Sequence, residues 1–366
     1  MLNDHILERP DMANDIAPAA ASTTAAGEDG SPHRVVFLPK GAAVSCEAGQ
    51  SILDAALHAG FFPKHSCRRG ECHACAANIV SGSVSYPSGF VPEGLPPGQC
   101  LTCMARPEDD LVIEAPEVAA VPGRRVVQAG ARVLTAQRVS HDVTIVRLQV
   151  PPAADFAFEA GQYCDVVLRD GSRRSYSMAN APDGTGVIEW HVRALPRGRF
   201  STHVYSALKP RDMLRVEGPY GAFTLSDTGK PVVLLASGTG YAPIAAILKT
   251  HADALRARGA VLYWGGRRLE DLYAFEEARA WQQESDRLRF VPVLSEPDGE
   301  WTGRTGFVHE AVAEDLPNMA GVEVYACGNP LMVDGARACF VQEHALPEDA
   351  FFSDAFITSL TPQGAT

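Results

Sequence analysis

The sequence predicts a multidomain chain: a small α+β unit, then an antiparallel Greek-key β-barrel, then an α/β doubly wound parallel-sheet domain. Three observations carry this expectation. A cysteine-rich run, HSCRRGECHAC, lies between a hairpin-and-helix pattern and a short closing strand. From Val126 to Ser226, short runs alternate apolar and polar residues between turn signals, the pattern of antiparallel strands. From Pro231 onward, apolar strands alternate with helical patterns, among them helices expected over 242–259 and 269–283, which predicts a parallel sheet with helices on both faces. A length of 366 residues agrees with two or three domains at ~100–200 residues each.

The first 32 residues lack a basic start followed by an apolar core, so they do not read as a secretory signal. Their Ala/Thr/Gly/Asp bias reads as a disordered tail, or as sequence upstream of a true start at Met12. Residues 33–117 form the first unit, with a hairpin and the helix AGQSILDAALHAGFF ahead of the cysteines. Cys67, Cys72 and Cys75 follow a Cys-x4-Cys-x2-Cys pattern with Cys103 at a distance, the spacing of plant-type [2Fe–2S] sites. Two irons bridged by sulfides need four thiolates converging from one tight loop and one distant segment. Gly70 permits the sharp bends of such a loop, and backbone N–H groups can turn towards the sulfurs. Cys72/Cys75 with Cys100/Cys103 also read as two Cys-x2-Cys zinc knuckles. That alternative leaves Cys67 and the segment PEDDLVIE unexplained.

The stretch from Arg34 to about Pro116 resembles a plant-type ferredoxin domain of β-grasp fold. The resemblance implies that Cys103, in LTCMARPEDDL, is the fourth ligand in place of Cys100. His73 departs from the family, which usually has glycine there, and histidine tolerates left-handed backbone only moderately well. A lone His73 beside Cys72 does not supply the ligand pairs of a Rieske site.

A Pro/Ala-rich connector, EAPEVAAVPGRR, leads through a linker at 118–125 to the barrel at 126–228. Within the barrel, RSYSMANAP resembles the R-x-Y-S flavin motif of the ferredoxin–NADP⁺ reductase superfamily. The resemblance implies FAD, with Arg174 forking onto its pyrophosphate, Tyr176 flat against the ring and Ser177 beside the ring nitrogen that accepts hydride. HVRALPRGRFSTHV follows, where the family places a strand and then a helix start against the flavin. His191, Val192 and Arg193 fall where the adenylate half is held. Gly198, Arg199, Phe200, Ser201 and Thr202 fall at the helix N-terminus, whose exposed N–H groups attract anions. GPYGAFTL resembles the superfamily's barrel-closing segment.

The last domain, 229–366, opens on PVVLLASGTG. Gly238, Thr239 and Gly240 end an apolar strand and open a helix, so bare backbone can approach a dinucleotide pyrophosphate. In YACGNPLM, the superfamily's C-G-x-P pattern implies that Cys327 and Gly328 border the nicotinamide. Phe356, in FFSDAF, resembles the aromatic that shields the flavin ring in related reductases. NADH is the expected donor. NADPH is the alternative, because Arg267 and Arg268 could meet a 2′-phosphate, yet related NADH-using reductases carry a similar stretch.

A net charge of −12 argues against nucleic-acid binding, and no apolar run approaches the ~18 residues of a membrane span. Nine cysteines, five of them (Cys46, Cys100, Cys164, Cys327, Cys339) outside the ligand set, suit a reducing cytoplasm. The order ferredoxin, flavin barrel, nucleotide domain resembles the reductase components of multicomponent oxygenases, especially those serving terephthalate-type aromatic-ring-hydroxylating Rieske dioxygenases. It also resembles CDP-6-deoxy-hexulose reductases of deoxysugar biosynthesis and reductases of diiron hydroxylases. The resemblance implies NADH-driven reduction of FAD, then single electrons through the cluster to an oxygenase component or an intermediate electron-transfer protein.

Overall fold

The computed structural model describes residues 31–65, 68, 70, 73–115, 119–120 and 125–356. The expected tail up to residue 30, Cys67, Cys72 and most of the 118–125 linker lie outside the described residues.

The first unit is a mixed sheet in the order Ala42–Cys46, His33–Leu38, Leu111–Glu114, Ala76–Ser81, Gln99–Leu101. His33–Leu38 pairs antiparallel with Ala42–Cys46 and parallel with Leu111–Glu114. The helix Ile52–His58 lies against it because Ile52, Leu53, Ala55, Ala56 and Leu57 form a buried face. Ser51 starts the helix, its Oγ accepting the Asp54 N–H at 3.1 Å.

The barrel runs Arg173–Ser177, Tyr163–Val167, Met213–Tyr220, Val127–Arg138, Val143–Gln149, Val187–Arg193, with every neighbouring pair antiparallel. A bridge between Met178 and Trp190 closes the ring by joining the two outer strands. Trp190, Met178, Cys164, Val146, Leu148 and Ile188 fill its interior. The period-two alternation therefore points every second residue at one apolar centre.

The last domain has six parallel strands, ordered Arg304–Thr305, Leu288–Leu294, Ala260–Gly266, Val232–Ser237, Glu323–Gly328, Phe351–Ala355. The central strands are apolar on both faces because helices cover both. Tyr241–Thr250 and Phe275–Gln282 pack on one face, Val308–Asp315 and Pro330–Glu343 on the other. The chain order reverses between Val232–Ser237 and Glu323–Gly328, and ligands of such sheets bind outside the strand ends at that point.

Three details differ from the sequence expectation. The helix expected over 242–259 is two helices, Tyr241–Thr250 and Ala252–Arg258, broken at His251. Thr250 and His251 have low helix propensity, so little opposes the break. The helix expected from Leu269 begins only at Phe275. Asp271 accepts the N–H groups of Arg267 and Arg268 at 2.9 and 3.0 Å, which ties Leu269–Asp271 into a tight turn. FFSDAF forms the sixth strand of the sheet through Phe351–Ala355.

The connector from barrel to nucleotide domain is anchored by a buried ion pair, Arg258 with Glu323. Glu323 is 2 % exposed and accepts the hydroxyls of Ser226 and Thr228, while Arg258 donates to the carbonyls of Ser226 and Lys230. Among the described residues, no helix is long and apolar enough to cross a membrane.

Candidate functional site

Cys75 and Cys103 come together in one buried apolar group with Leu53, Leu57, Phe62 and Leu101. Thr102 ties the two segments, donating its N–H and Oγ1–H to the Cys75 carbonyl at 3.2 and 3.1 Å. Cys100 belongs elsewhere. Its strand pairs it with Ala77, and its thiol enters the separate core of Val35, Phe37 and Ile52. Gly70 sits at φ +79°, and a Cβ there would lie 2.4 Å from the Phe90 ring, so only glycine fits. His73 does adopt left-handed backbone, at φ +53°. The paired Cys75 and Cys103 suit a thiolate-held cluster, whereas Cys100 packs in the separate core beside Val35.

The same buried group continues into the barrel through Tyr163 and Tyr220, whose ring centroids are 5.6 Å apart. Two further contacts cross this boundary. Arg68 reaches Asp165, and the Gly221 N–H donates to His65 Nε2 at 3.1 Å. Burial, the largest influence, pulls the His65 pKa down to about 4, so the ring is neutral and can accept that bond.

Tyr163 lies opposite Ser177 in the strand ladder, so the barrel face carrying the R-x-Y-S residues begins directly behind Tyr163. Ser177 is buried, and Tyr176 packs against Trp190 and Phe200 at centroid distances of 5.3 and 5.5 Å. Burial raises the Tyr176 phenol above its usual pKa, so it stays neutral. Arg174 is half-buried, and its Nη1 donates only to the adjacent Arg173 carbonyl, at 2.7 Å. Among the described residues it meets no carboxylate, which leaves its fork available to an anion.

The helix Arg199–Ser206 starts nearby with Gly198 as its cap residue. Ser201 is taken up internally, accepting the Leu195 N–H at 3.2 Å and donating to the Gly198 carbonyl at 3.3 Å. Phe200 is buried beneath Tyr176, Thr202 is exposed, and Arg199 pairs with Asp170 at the surface. The family resemblance groups these five, and the structure separates them into a packing residue, a cap, a buried serine bonded within its own turn, and two surface groups.

Val192 is buried in the barrel core, while His191 faces the nucleotide domain, its Nδ1 2.8 Å from the Tyr273 hydroxyl. Arg193 crosses to the nucleotide turn. Its Nε lies 2.9 Å from Asp142, its buried Nη2 has no hydrogen-bond partner, and a Cβ on Gly238 would lie 2.6 Å from Nη1. A buried orphan donor beside a bare-backbone turn fits an anionic dinucleotide.

The turn Gly238–Gly240 and the strand end Cys327–Gly328 meet at the switch point. A Cβ on Gly240 would lie 2.1 Å from the Cys327 carbonyl oxygen, so backbone packs on backbone. The Asn329 N–H donates to Ser237 Oγ at 2.8 Å, and the Trp264 indole N–H to the Gly238 carbonyl at 3.0 Å. Trp264 in turn stacks on Tyr241 at 4.1 Å. No local pattern marks this platform, since its two rings stand on different elements. Burial holds the Cys327 thiol well above its ordinary pKa, which makes it a neutral neighbour and no nucleophile. Phe356 comes to the same corner, its N–H donating to the Gly328 carbonyl at 2.7 Å.

Comparison with known proteins agrees with this architecture in every domain. The family model of the 2Fe-2S iron-sulfur cluster binding domain matches residues 36–108, which rules out the zinc knuckles. The oxidoreductase FAD-binding domain matches 130–225 and the oxidoreductase NAD-binding domain 234–338. The chain is 36 % identical over 330 residues to the CDP-6-deoxy-L-threo-D-glycero-4-hexulose-3-dehydrase reductase of Yersinia pseudotuberculosis, covering 89 % of this chain and 98 % of that protein. It is 32 % identical to reductase component 2 of terephthalate 1,2-dioxygenase from Comamonas, covering 90 % and 98 %. Among solved structures, the Amycolatopsis cytochrome P450 reductase GcoB matches with a TM-score of 0.76 at 32 % identity, covering 88 % of this chain and 98 % of that one. A cysteine-paired ferredoxin unit abutting a flavin barrel, itself abutting a nucleotide switch point, is thus matched along almost the whole length of its relatives, and the chain belongs to the NADH-dependent iron–sulfur flavoprotein reductases that carry electrons through FAD and a [2Fe–2S] cluster.

Proposed function

We propose that this reductase supplies electrons to a separate aromatic-ring-hydroxylating oxygenase component, directly or through an intermediate electron-transfer protein, in a reducing cytoplasm. One observation carries the electron path: the continuous buried group that joins Cys75 and Cys103 to Tyr163 and Tyr220, with Tyr163 opposite Ser177. Cys67, Cys72, Cys75 and Cys103 would hold the cluster. Domain limits of 33–117, 126–228 and 229–366, with a linker at 118–125, accompany this reading. Bound FAD accepts an electron pair and releases single electrons, and the cluster carries one electron at a time. The chain's own residues bind and orient. Arg174 offers a planar fork to the flavin pyrophosphate, and Tyr176, backed by Trp190 and Phe200, offers a flat apolar face. Ser177 supplies a small polar neighbour, and the N–H groups after Gly198 offer a second anion contact. His191 and Arg193 stand between the two dinucleotides. Gly238–Gly240 admit the nicotinamide dinucleotide to bare backbone, while Cys327, Gly328 and Phe356 wall the corner where nicotinamide and flavin would meet.

The similarity to the terephthalate dioxygenase reductase supports the oxygenase partner. A second reading, a sugar-nucleotide dehydrase partner, is favoured by the higher identity to the Yersinia reductase over the same span. NADH-driven product formation separates them. Turnover is expected with a terephthalate-type dioxygenase component, and turnover only with the dehydrase would replace the first reading by the second.

Arg174→Ala is expected to purify with substoichiometric FAD while keeping its iron. Loss of one partner from a charge-assisted bidentate contact costs about 2–4 kcal/mol. That corresponds to roughly 30- to 1000-fold weaker binding. Arg174→Lys restores charge without the fork and should recover part of the affinity. Flavin titration decides the point, and parent-like affinity in Arg174→Ala would leave the anchoring to the Gly198–Thr202 segment.

A further inference from the structure

Around the two tyrosines that lie between cysteines and barrel runs a ring of polar contacts. Arg68 divides its guanidinium across the domain boundary. Nη2 donates to Asp54 in its own domain at 2.9 Å, and Nη1 donates to Asp165 on the barrel strand Tyr163–Val167 at 3.0 Å. The same guanidinium lies 3.8 Å above the centroid of Tyr220. The Asp165 carboxylate is almost wholly buried and also accepts the Ser175 hydroxyl at 2.7 Å. His65 forms the second crossing. Its Nδ1–H donates to the Pro63 carbonyl at 2.7 Å, which leaves Nε2 to accept the Gly221 N–H at 3.1 Å. Arg68 holds φ at +55°, a conformation that costs an arginine energy and persists only where surroundings impose it.

We propose that Arg68, His65, Asp165 and Tyr220 form an interdomain clamp that docks the cysteine loop on the flavin face and thereby sets the rate of electron transfer from flavin to cluster. The clamp rests on the reading of Cys75 and Cys103 as cluster ligands. Its chemistry suits the task. Electron transfer falls steeply with the gap between redox groups, so the loop has to be held at contact. A shared guanidinium with an almost wholly buried carboxylate is directional, and removing either partner leaves the other uncompensated. The cation over the Tyr220 ring adds attraction that a displaced loop would lose. These four are positioning residues.

The test leads with a barrel-side change, Asp165→Asn, which leaves the cysteine loop's own sequence intact, and adds a loop-side change at Arg68. In stopped-flow mixing of the holoprotein with NADH, Asp165→Asn should show parent-like bleaching of the flavin. Bleaching of the cluster should be slowed by about tenfold or more, because the docked population falls. Arg68→Ala should slow the same step. The double variant Arg68→Ala/Asp165→Asn should be no slower than the worse single, since both remove one contact. A second readout needs no turnover: cleavage of the linker at 116–125 by a protease should be faster in Asp165→Asn than in the parent, with or without metal. Cluster bleaching at the parent rate in both single variants, or unchanged linker cleavage, overturns the clamp. Iron and labile sulfide in the parent report on the ligand reading separately. If they are absent, that reading fails and linker cleavage alone decides the clamp.

Discussion

Replacing Cys103 by serine is expected to yield a protein without iron or labile sulfide, whereas Cys100→Ser keeps both. The two thiols are close in sequence and differ in surroundings. Cys103 shares a buried group with Cys75, and Thr102 stitches the two segments together through the Cys75 carbonyl. Cys100 sits on the strand Gln99–Leu101 and points into the small domain's core beside Val35 and Ile52. A serine hydroxyl is a poor substitute for a soft thiolate on iron, so one lost ligand undoes the site. In the core, exchanging the thiol for a more polar hydroxyl costs about 1–3 kcal/mol of stability and removes no ligand. Iron, sulfide and visible absorption measure the outcome. Reduction of ferricyanide with NADH should survive in Cys103→Ser, because it needs only the last two domains, while reduction of cytochrome c should collapse. Full iron in Cys103→Ser with loss in Cys100→Ser would reverse the assignment.

Glu323→Ala is expected to destabilise the nucleotide domain strongly. It strands Arg258, which is 8 % exposed, without its carboxylate. Breaking a buried pair from one side costs about 3–5 kcal/mol. In a domain of this size that amounts to a fall on the order of 10 °C in the unfolding midpoint. The pair also responds to acid. Burial pushes the Glu323 carboxyl up, but hydrogen bonds from Ser226, Thr228 and Arg258 outweigh it, so the folded pKa lies below the ordinary value of 4.5. Its contribution is therefore complete above that ordinary value and is lost as pH falls through the lowered one. The midpoint difference between parent and Glu323→Ala should shrink below that point. Equal midpoints at neutral pH would show that the pair contributes nothing net.

The domain order, the barrel and the parallel sheet were legible because their signals are local. PVVLLASGTG announces a buried strand and a bare turn within ten residues, and the alternation in VTIVRLQV needs no distant partner. The helix start at Leu269 was misjudged because the Asp271 side chain outcompetes helical hydrogen bonding, a choice that composition does not record. Arg199 and Ser201 looked alike as anion contacts, yet Asp170 claims one and the Gly198 loop the other. Contacts between domains were the least legible. Arg68 and Asp165 are 97 positions apart, and His65 and Gly221 are 156 apart, so no sequence window contains either pair.

The aromatic platform under the nucleotide turn gives the molecule an optical property. Of its four tryptophans, Trp264 touches the Gly238 carbonyl and Trp190 backs Tyr176, so two indoles stand one residue away from the two dinucleotide sites. Both are fully buried, which shields their emission from solvent quenchers and ties it to what occupies each site. With Trp281, Trp301 and one of the two exchanged for phenylalanine, the light that remains reports on filling of the other site, and the protein needs no added dye to be watched as it loads.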